Sequence, residues 1–323
     1  MIERENLKDR AVLVTGAAGC IGAWAVKLLI EKEAKPVVFD LTENKDRLRL
    51  AMDGADDVIW ETGDITDFDR LTNVINTHNI TAIIHLAALQ VPFCKADPVG
   101  STHVNVMGSI NILEAARQAG IKRLVYASSV AAPAMGDNDF LATLYGAHKI
   151  CGEQMAGVYW QDWQVPSIGI RPGIIYGPGR DQGMSAAPSI AMLAALEGQP
   201  YTVPFSGPLT FCHVEDAALR FVTAISAKQI GAPVFEMNGT PAETADIIAI
   251  IKAKTGVNTR LDFAGSPMPF PAQADDGRLD ARLGVRSYWS LDAGIEHTLS
   301  HFKMAKARGI DTAALAARLT EPS

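Results

Sequence analysis

The sequence predicts an α/β protein: a doubly wound parallel sheet with a smaller, partly interleaved C-terminal region. Short apolar, β-branched runs alternate with stretches of helical spacing between residues 11 and 171. The first run passes straight into a glycine-rich turn and then a helix. After Pro172 that rhythm gives way to short pieces broken by proline and glycine. On this pattern residues 1–171 form the larger domain, 209–237 rejoin it, and 172–208 with 238–323 build the second region.

The 323-residue chain is 48% hydrophobic, enough for a large core without disulfides. A formal net charge of −7, with no run of Lys or Arg, argues against a nucleic-acid surface. Cys20, Cys94, Cys151 and Cys212 are scattered without a CxxC pair, which fits reduced thiols and offers no zinc site. Residues 1–8 are too polar for a signal peptide, and no apolar run is long enough to span a bilayer. These features point to a cytoplasmic protein that handles a small molecule, with no metal, nucleic acid or membrane as partner.

Taken in order, Ala11–Thr15 reads as a buried strand, Gly16-Ala17-Ala18-Gly19-Cys20-Ile21-Gly22 as the turn, and Ala23–Lys32 as the helix. That order is the context of a phosphate-binding turn. Gly16 makes the tight bend, Gly19 lets backbone approach a pyrophosphate, and Gly22 lets the helix pack closely. Cys20 and Ile21 open the helix, whose free N–H groups and dipole favour phosphate. A second strand, Pro36–Phe39, ends at Asp40, 18 residues past Gly22. An acid there accepts hydrogen bonds from the adenosine ribose hydroxyls and repels a 2′-phosphate. Leu41 and Thr42 offer no compensating cation, so the cofactor is read as NAD. A merely solvated strand-end acid is the alternative for Asp40.

Val58–Glu61 is a third strand, after which Asp64 suits a contact to the adenine amino group and Ile65 the lining of its pocket. A helix over Phe68–Thr77 follows. The fourth strand, from Ala82, leads into Leu86, Ala87 and Ala88, small enough to lie against a cofactor, while His85 reads as a core histidine. A long helix over Pro98–Ala119 carries Asn105 and Asn111. The fifth strand, from Arg123, ends in Ser128 and Ser129 at the carboxyl edge where ligands bind, although serines there also cap the next segment.

The helix Leu144–Trp163 bears Tyr145 and Lys149 one turn apart on one face. An ammonium beside a phenol draws its pKa from about 10 towards neutrality. Tyr145 can then carry a proton to or from a hydroxyl while hydride moves at the same carbon. In isolation, the spacing also fits a packed ring beside a solvated charge. Ser167–Arg171 is the sixth strand; a small-residue helix over 185–198 and a helix–strand unit over 215–237 follow, and 263–271 is proline-rich.

Together these pieces resemble the extended short-chain dehydrogenase/reductase family, which includes NAD-dependent epimerases and dehydratases. The matching elements are Thr15–Gly22, Asp64-Ile65, His85–Ala88, Asn105, Ser128-Ser129, Tyr145–Lys149 and Arg171-Pro172-Gly173-Ile174-Ile175-Tyr176-Gly177-Pro178, in the family's order over residues 10–220. The resemblance implies Ser129, Tyr145 and Lys149 as the catalytic group, with Lys149 also holding the nicotinamide ribose. It implies cofactor contacts from the glycine turn, Asp40, Asp64, Ile65, Leu86–Ala88 and Asn105, and a homodimer built from the two long helices. A stripe of Val104, Gly108, Ile112 and Ala115 on the first of them suits either core or interface.

Departures bear on the substrate. Family members acting on nucleotide-diphosphate sugars usually carry Asn where this chain has Ile174, and an arginine near Leu209 that is absent here. Ile and Leu cannot bind a diphosphate. The expected activity is therefore NAD-dependent oxidation of a secondary hydroxyl on a small polyol, sugar, sugar acid or hydroxy acid. The alternative is a sugar epimerase or dehydratase in which NAD is retained and recycled. Arg180, just past Gly177-Pro178-Gly179, is the candidate clamp for a substrate carboxylate; a surface arginine paired with Asp181 is the other reading.

Overall fold

β1 (Ala11–Thr15) buries side chains on both sides, Val12 and Val14 towards one core and Leu13 towards another. A strand of that kind needs helices on both faces of its sheet. The computed structural model describes residues 4–135, 141–183, 185–237, 239–256, 260–269, 277–285 and 288–320. The expectations placed on residues 1–3 and 270–271 lie outside the described residues.

The chain continues with α1 (Cys20–Glu31), β2 (Lys35–Asp40), α2 (Asp46–Ala51), β3 (Ile59–Thr62), α3 (Phe68–Thr77), β4 (Ala82–His85), α4 (Val91–Ala96), α5 (Pro98–Thr102), α6 (Gly108–Gln118), β5 (Leu124–Ala127), α7 (Leu144–Trp163) and β6 (Ile168–Pro172). Then come β7 (Ile174–Tyr176), α8 (Ala187–Leu196), β8 (Tyr201–Val203), β9 (Pro208–His213), α9 (Val214–Ser226) and β10 (Val234–Met237). They are followed by β11 (Thr240–Glu243), α10 (Thr244–Thr255), β12 (Leu261–Phe263), α11 (Arg278–Leu283), α12 (Leu291–Ala307) and α13 (Thr312–Thr320).

Seven strands form one parallel sheet in the order β10-β6-β5-β4-β1-β2-β3. Chain direction across the sheet reverses between β1 and β4, which opens a crevice at their carboxyl ends. α1 and α9 cover one face around Trp24, Val26 and Phe221. α3, α6 and α7 cover the other around Leu71, Ile112 and Tyr159. Among the described residues no helix is long and apolar enough to cross a membrane.

The small unit is built from β11-β9-β7, in which β7 and β9 are parallel and β9 and β11 antiparallel, and from the pair β12-β8. α8, α10, α12 and α13 close a second core around Tyr176, Phe205, Phe211 and Leu299. β7 divides its side chains, Ile174 and Tyr176 to this core and Ile175 to the large one. β9 does the same, with Leu209 and Phe211 in the second core and Cys212 in the first. Residues 209–213 therefore sit in the small sheet, and α9 and β10 are the parts that join the large one.

α5 and α6 are joined without a break by a π-helical turn over His103–Met107. Of the stripe expected there, Gly108, Ile112 and Ala115 are buried and Val104 packs on the same core, so the stripe belongs to the interior. Gly108 has a steric reason: a Cβ on it would lie 2.7 Å from Ile65 Cγ2.

Candidate active site

Parallel strands deliver their carboxyl ends to one edge, and here those ends line a cleft of about 560 Å³. Every residue expected to touch a cofactor or substrate lines it, save Asn105, as the glycine turn, Asp40, Leu86–Ala88, Ser129, Tyr145 and Arg180 illustrate. Gly22 lines it too, from the first turn of α1.

The glycine turn is forced by packing. Gly16 has φ +71°, and a Cβ on it would lie 2.6 Å from Ala87 N. A Cβ on Gly22 would lie 2.6 Å from Ala17 Cα and from Gly16 O, so the helix rests directly on the turn. α1 begins at Cys20 with Gly19 as N-cap and no side-chain cap, leaving the helix N-terminus to a ligand. Beneath the turn, Leu86 and Ala87 N–H groups each point at Thr15 Oγ1 at 3.3 Å, and that hydroxyl pairs with His85 Nδ1 at 2.8 Å. Burial holds His85 down at about 3, so it is a neutral structural histidine.

Asp40 stands at the tip of β2 and accepts from Ala18 N at 2.9 Å and from Leu41 N at 2.8 Å. Each carboxylate oxygen retains lone-pair capacity for a ribose hydroxyl. Asp64 and Ile65 line the cleft beyond β3. The uncapped helix end, the Gly16 cradle that a Cβ would fill and the Asp40 acid together fit a dinucleotide. Leu41 is 67% exposed, so an arginine fits there without a clash. Asp40→Ala combined with Leu41→Arg should move the ratio of NADP to NAD affinity at least about tenfold towards NADP, the worth of one charge-assisted hydrogen bond. Titration with both dinucleotides measures it; an unchanged ratio would mean Asp40 does not face the ribose.

Asn105 is placed differently from the expectation. It is buried, its Oδ1 accepts from Leu89 N at 2.7 Å and its Nδ2 donates to Leu89 O at 2.9 Å. It also meets His148 Nδ1 at 3.2 Å. Asn105 therefore braces the segment after β4 from behind the cleft wall instead of lining the cleft.

α7 starts at Thr143, whose hydroxyl caps Gly146 N at 3.0 Å, and its first turns face the cleft. The Ser129 hydroxyl hydrogen-bonds the Tyr145 phenol. Lys149 Nζ lies 5.4 Å from the Tyr145 ring centroid and donates to Ala127 O at 2.7 Å. The three expected catalytic side chains are thus brought together. The electrostatics are not as expected. Burial pushes the Tyr145 phenol up to about 12, against the pull of Ser129 and the Arg180 guanidinium. Burial also draws Lys149 down to about 8. In the protein alone, desolvation outweighs the pulls of Ser129 and Arg180, and Tyr145 is protonated at neutral pH.

One turn beyond Lys149, Glu153 ties α7 to the sheet. Arg171 donates to it through Nε at 2.7 Å and Nη2 at 2.6 Å, and the Ser128 hydroxyl donates to the same carboxylate. Arg171 reaches Glu236 with Nη1 at 2.6 Å. Ser128, next to the serine expected to be catalytic, is thereby a structural residue.

Arg180 does not pair with its neighbour. Arg47 takes Asp181 with Nε at 3.0 Å and Nη2 at 2.5 Å. Arg180 meets neutral groups, Ser185 Oγ at 3.0 Å and Gln90 Oε1 at 3.5 Å, and its buried Nε has no partner among the described residues. A cation lining the cleft, flanked by neutral donors and acceptors, is prepared for an anion. Arg47 and Gln90, for which the sequence carries no expectation, also line the cleft, as does Asp181, expected only as a partner for Arg180. Arg47 follows Asp40 by seven residues, the only local signal that could have marked it.

The sequence model of the NAD dependent epimerase/dehydratase family matches residues 12–237. The UDP-glucose 4-epimerase of Mycolicibacterium smegmatis is 27% identical over 307 residues, covering 90% of this chain and 98% of that protein. The crystal structure of the Thermus thermophilus UDP-glucose 4-epimerase in complex with NAD superposes with a TM-score of 0.76 at 24% identity, covering 91% of this chain and 99% of that one. The L-threonine dehydrogenase of Clostridium difficile is similar in fold, with a TM-score of 0.78 at 22% identity, covering 94% and 99%. With the dinucleotide cleft and the Ser129, Tyr145 and Lys149 group in place, the chain belongs to the NAD-dependent epimerase/dehydratase family.

Proposed function

We propose that this protein catalyses a redox-neutral, epimerase- or dehydratase-type conversion that begins with oxidation of a secondary hydroxyl on a small acidic sugar or polyol. The observation that carries the oxidation step is the contact of Ser129 with Tyr145 in the cleft that also holds the glycine turn. Bound NAD supplies the hydride acceptor. Ser129 orients the substrate oxygen, and Tyr145, which the positive charge of a bound nicotinamide together with Lys149 would favour as the phenolate, accepts the hydroxyl proton, while Lys149 is fixed on Ala127 O behind them. The redox-neutral reading draws support from the epimerase relatives, which match along nearly their whole length.

The acidic character of the substrate rests on Arg180. Its small size rests on Ile174, which lines the cleft where a diphosphate-binding amide is usual in the family. These two residues equally favour a second reading, net NAD-linked dehydrogenation of a sugar acid or hydroxy acid. A screen of sugar acids, followed by proton NMR and by absorbance of reduced nicotinamide with excess NAD, separates them. Isomerised or dehydrated product without accumulated NADH is expected; stoichiometric NADH would favour the second reading. In the same screen Arg180→Lys should lower kcat/KM for an acid by at least about tenfold and leave its neutral analogue nearly untouched, because lysine lacks the planar fork. An equal, small effect on both would remove Arg180 as the clamp.

The assembly proposed is a homodimer through the α5–α6 and α7 surface. Val99, Met107 and Val158 are 70%, 46% and 48% exposed there. A monomer by light scattering at micromolar concentration would exclude it.

A further inference from the structure

Two walls of the cleft come from distant parts of the chain. One is the glycine turn with α1; the other is the loop Gly177–Gly183 that carries Arg180. This loop bends at three glycines in the left-handed region, Gly177 (φ +127°), Gly179 (φ +88°) and Gly183 (φ +89°), which lets it approach the turn closely. It is fastened there at two places. Trp24 Nε1, from α1, donates to Pro178 O at 3.0 Å. Arg47, from α2, spans the gap: its Nη1 donates to Ala18 O at 2.7 Å, and its Nε and Nη2 grip Asp181. The stem of Arg47 lies along Gly179, where a Cβ would come within 3.6 Å of Arg47 Cβ and Cδ. Ala18 is thus held at both ends, its N–H by Asp40 and its carbonyl by Arg47.

We propose that Arg47 and Asp181 form a latch joining the substrate-side loop to the dinucleotide turn, so that NAD leaves only when this ion pair opens. Both side chains line the cleft and are only about one-fifth exposed, at 21% and 17%, so water screens the pair weakly. The same latch keeps Asp181 away from Arg180, leaving that guanidinium to the substrate. Arg47 and Asp181 act here as positioning residues, since neither is placed at the reacting atoms. The inference rests on the dinucleotide reading of the cleft and is independent of whether the overall reaction is redox-neutral.

The test uses the full-length protein loaded with NAD and no substrate, so its outcome does not depend on the reaction catalysed. Release is followed by displacement with excess fluorescent etheno-NAD in a stopped-flow instrument. Asp181→Asn, nearly isosteric, should speed release about tenfold, the loss of one charge-assisted contact. Arg47→Met, which also loses the Ala18 contact, should speed it at least as much. The double variant should release no faster than Arg47→Met, because both changes break one link. Release from Asp181→Asn within about twofold of the unaltered protein would overturn the latch, as would a double variant near the product of the two single effects, about a hundredfold.

Discussion

Tyr145→Phe should lower kcat by about 10²–10⁴-fold while NAD affinity stays nearly constant. The substitution removes one oxygen, and that oxygen is the hydrogen-bond partner of Ser129 in the cleft. The lost contribution is proton transfer to or from the substrate hydroxyl, while the glycine turn and Asp40, which carry the expected dinucleotide contacts, lie elsewhere along the wall. Single-turnover kinetics with NAD-loaded protein, paired with an NAD titration, check both halves of the expectation. More than about a tenth of the original kcat would place the proton carrier elsewhere. A large loss of NAD affinity would make the ring a binding element instead.

Glu153→Ala should cost about 3 kcal/mol of stability. The carboxylate side chain is only 5% exposed and holds both arms of an Arg171 fork. Its removal leaves a partly buried guanidinium half paired and the Ser128 hydroxyl without its acceptor. Glu236 still neutralises one side of Arg171, which keeps the cost at the lower end for a broken buried ion pair. The urea midpoint at neutral pH reports it, and a change below about 1 kcal/mol would show that Glu236 alone suffices. Because Glu153 lies one turn beyond Lys149 on α7, kcat should fall as well, through displaced Lys149 and Tyr145.

Much of this architecture was legible because burial on two faces writes itself into sequence as unbroken apolar runs. All six strands expected up to Arg171 appear within a residue or two at most boundaries, and α3 and α7 have the expected limits. The meeting of Ser129, Tyr145 and Lys149 in one cleft was legible for a related reason: residue types stand at fixed offsets on a strand end and a helix. α2 and α4 were missed because each is six residues long, too short for a helical period to repeat. The small sheet was missed because β7, β8, β11 and β12 have three or four residues each. Asn105 was assigned to the cofactor because an asparagine in a motif gives no sign of which way it points. Its neighbours, Leu89 and His148, come from segments 16 and 43 residues away in the chain. Tyr145 shows the limit of arguing from spacing about ionisation. Four residues set the distance to Lys149, but the depth of the cleft, which sets the desolvation, is decided by the whole fold.

The return of the chain to its large sheet has a consequence for synthesis. β6 is complete at Pro172, yet its partner β10 begins only at Val234, after β7, α8, β8 and β9 of the second unit and then α9 have been laid down. A ribosome emitting this chain first exposes six parallel strands whose outer edge is open and whose α1 face lacks α9. An open edge of that kind invites pairing with another chain. A stop before Ser226 should leave the apolar α1 face without α9 and β6 without a neighbour, where one after Met237 leaves the seven-stranded sheet complete and that face covered.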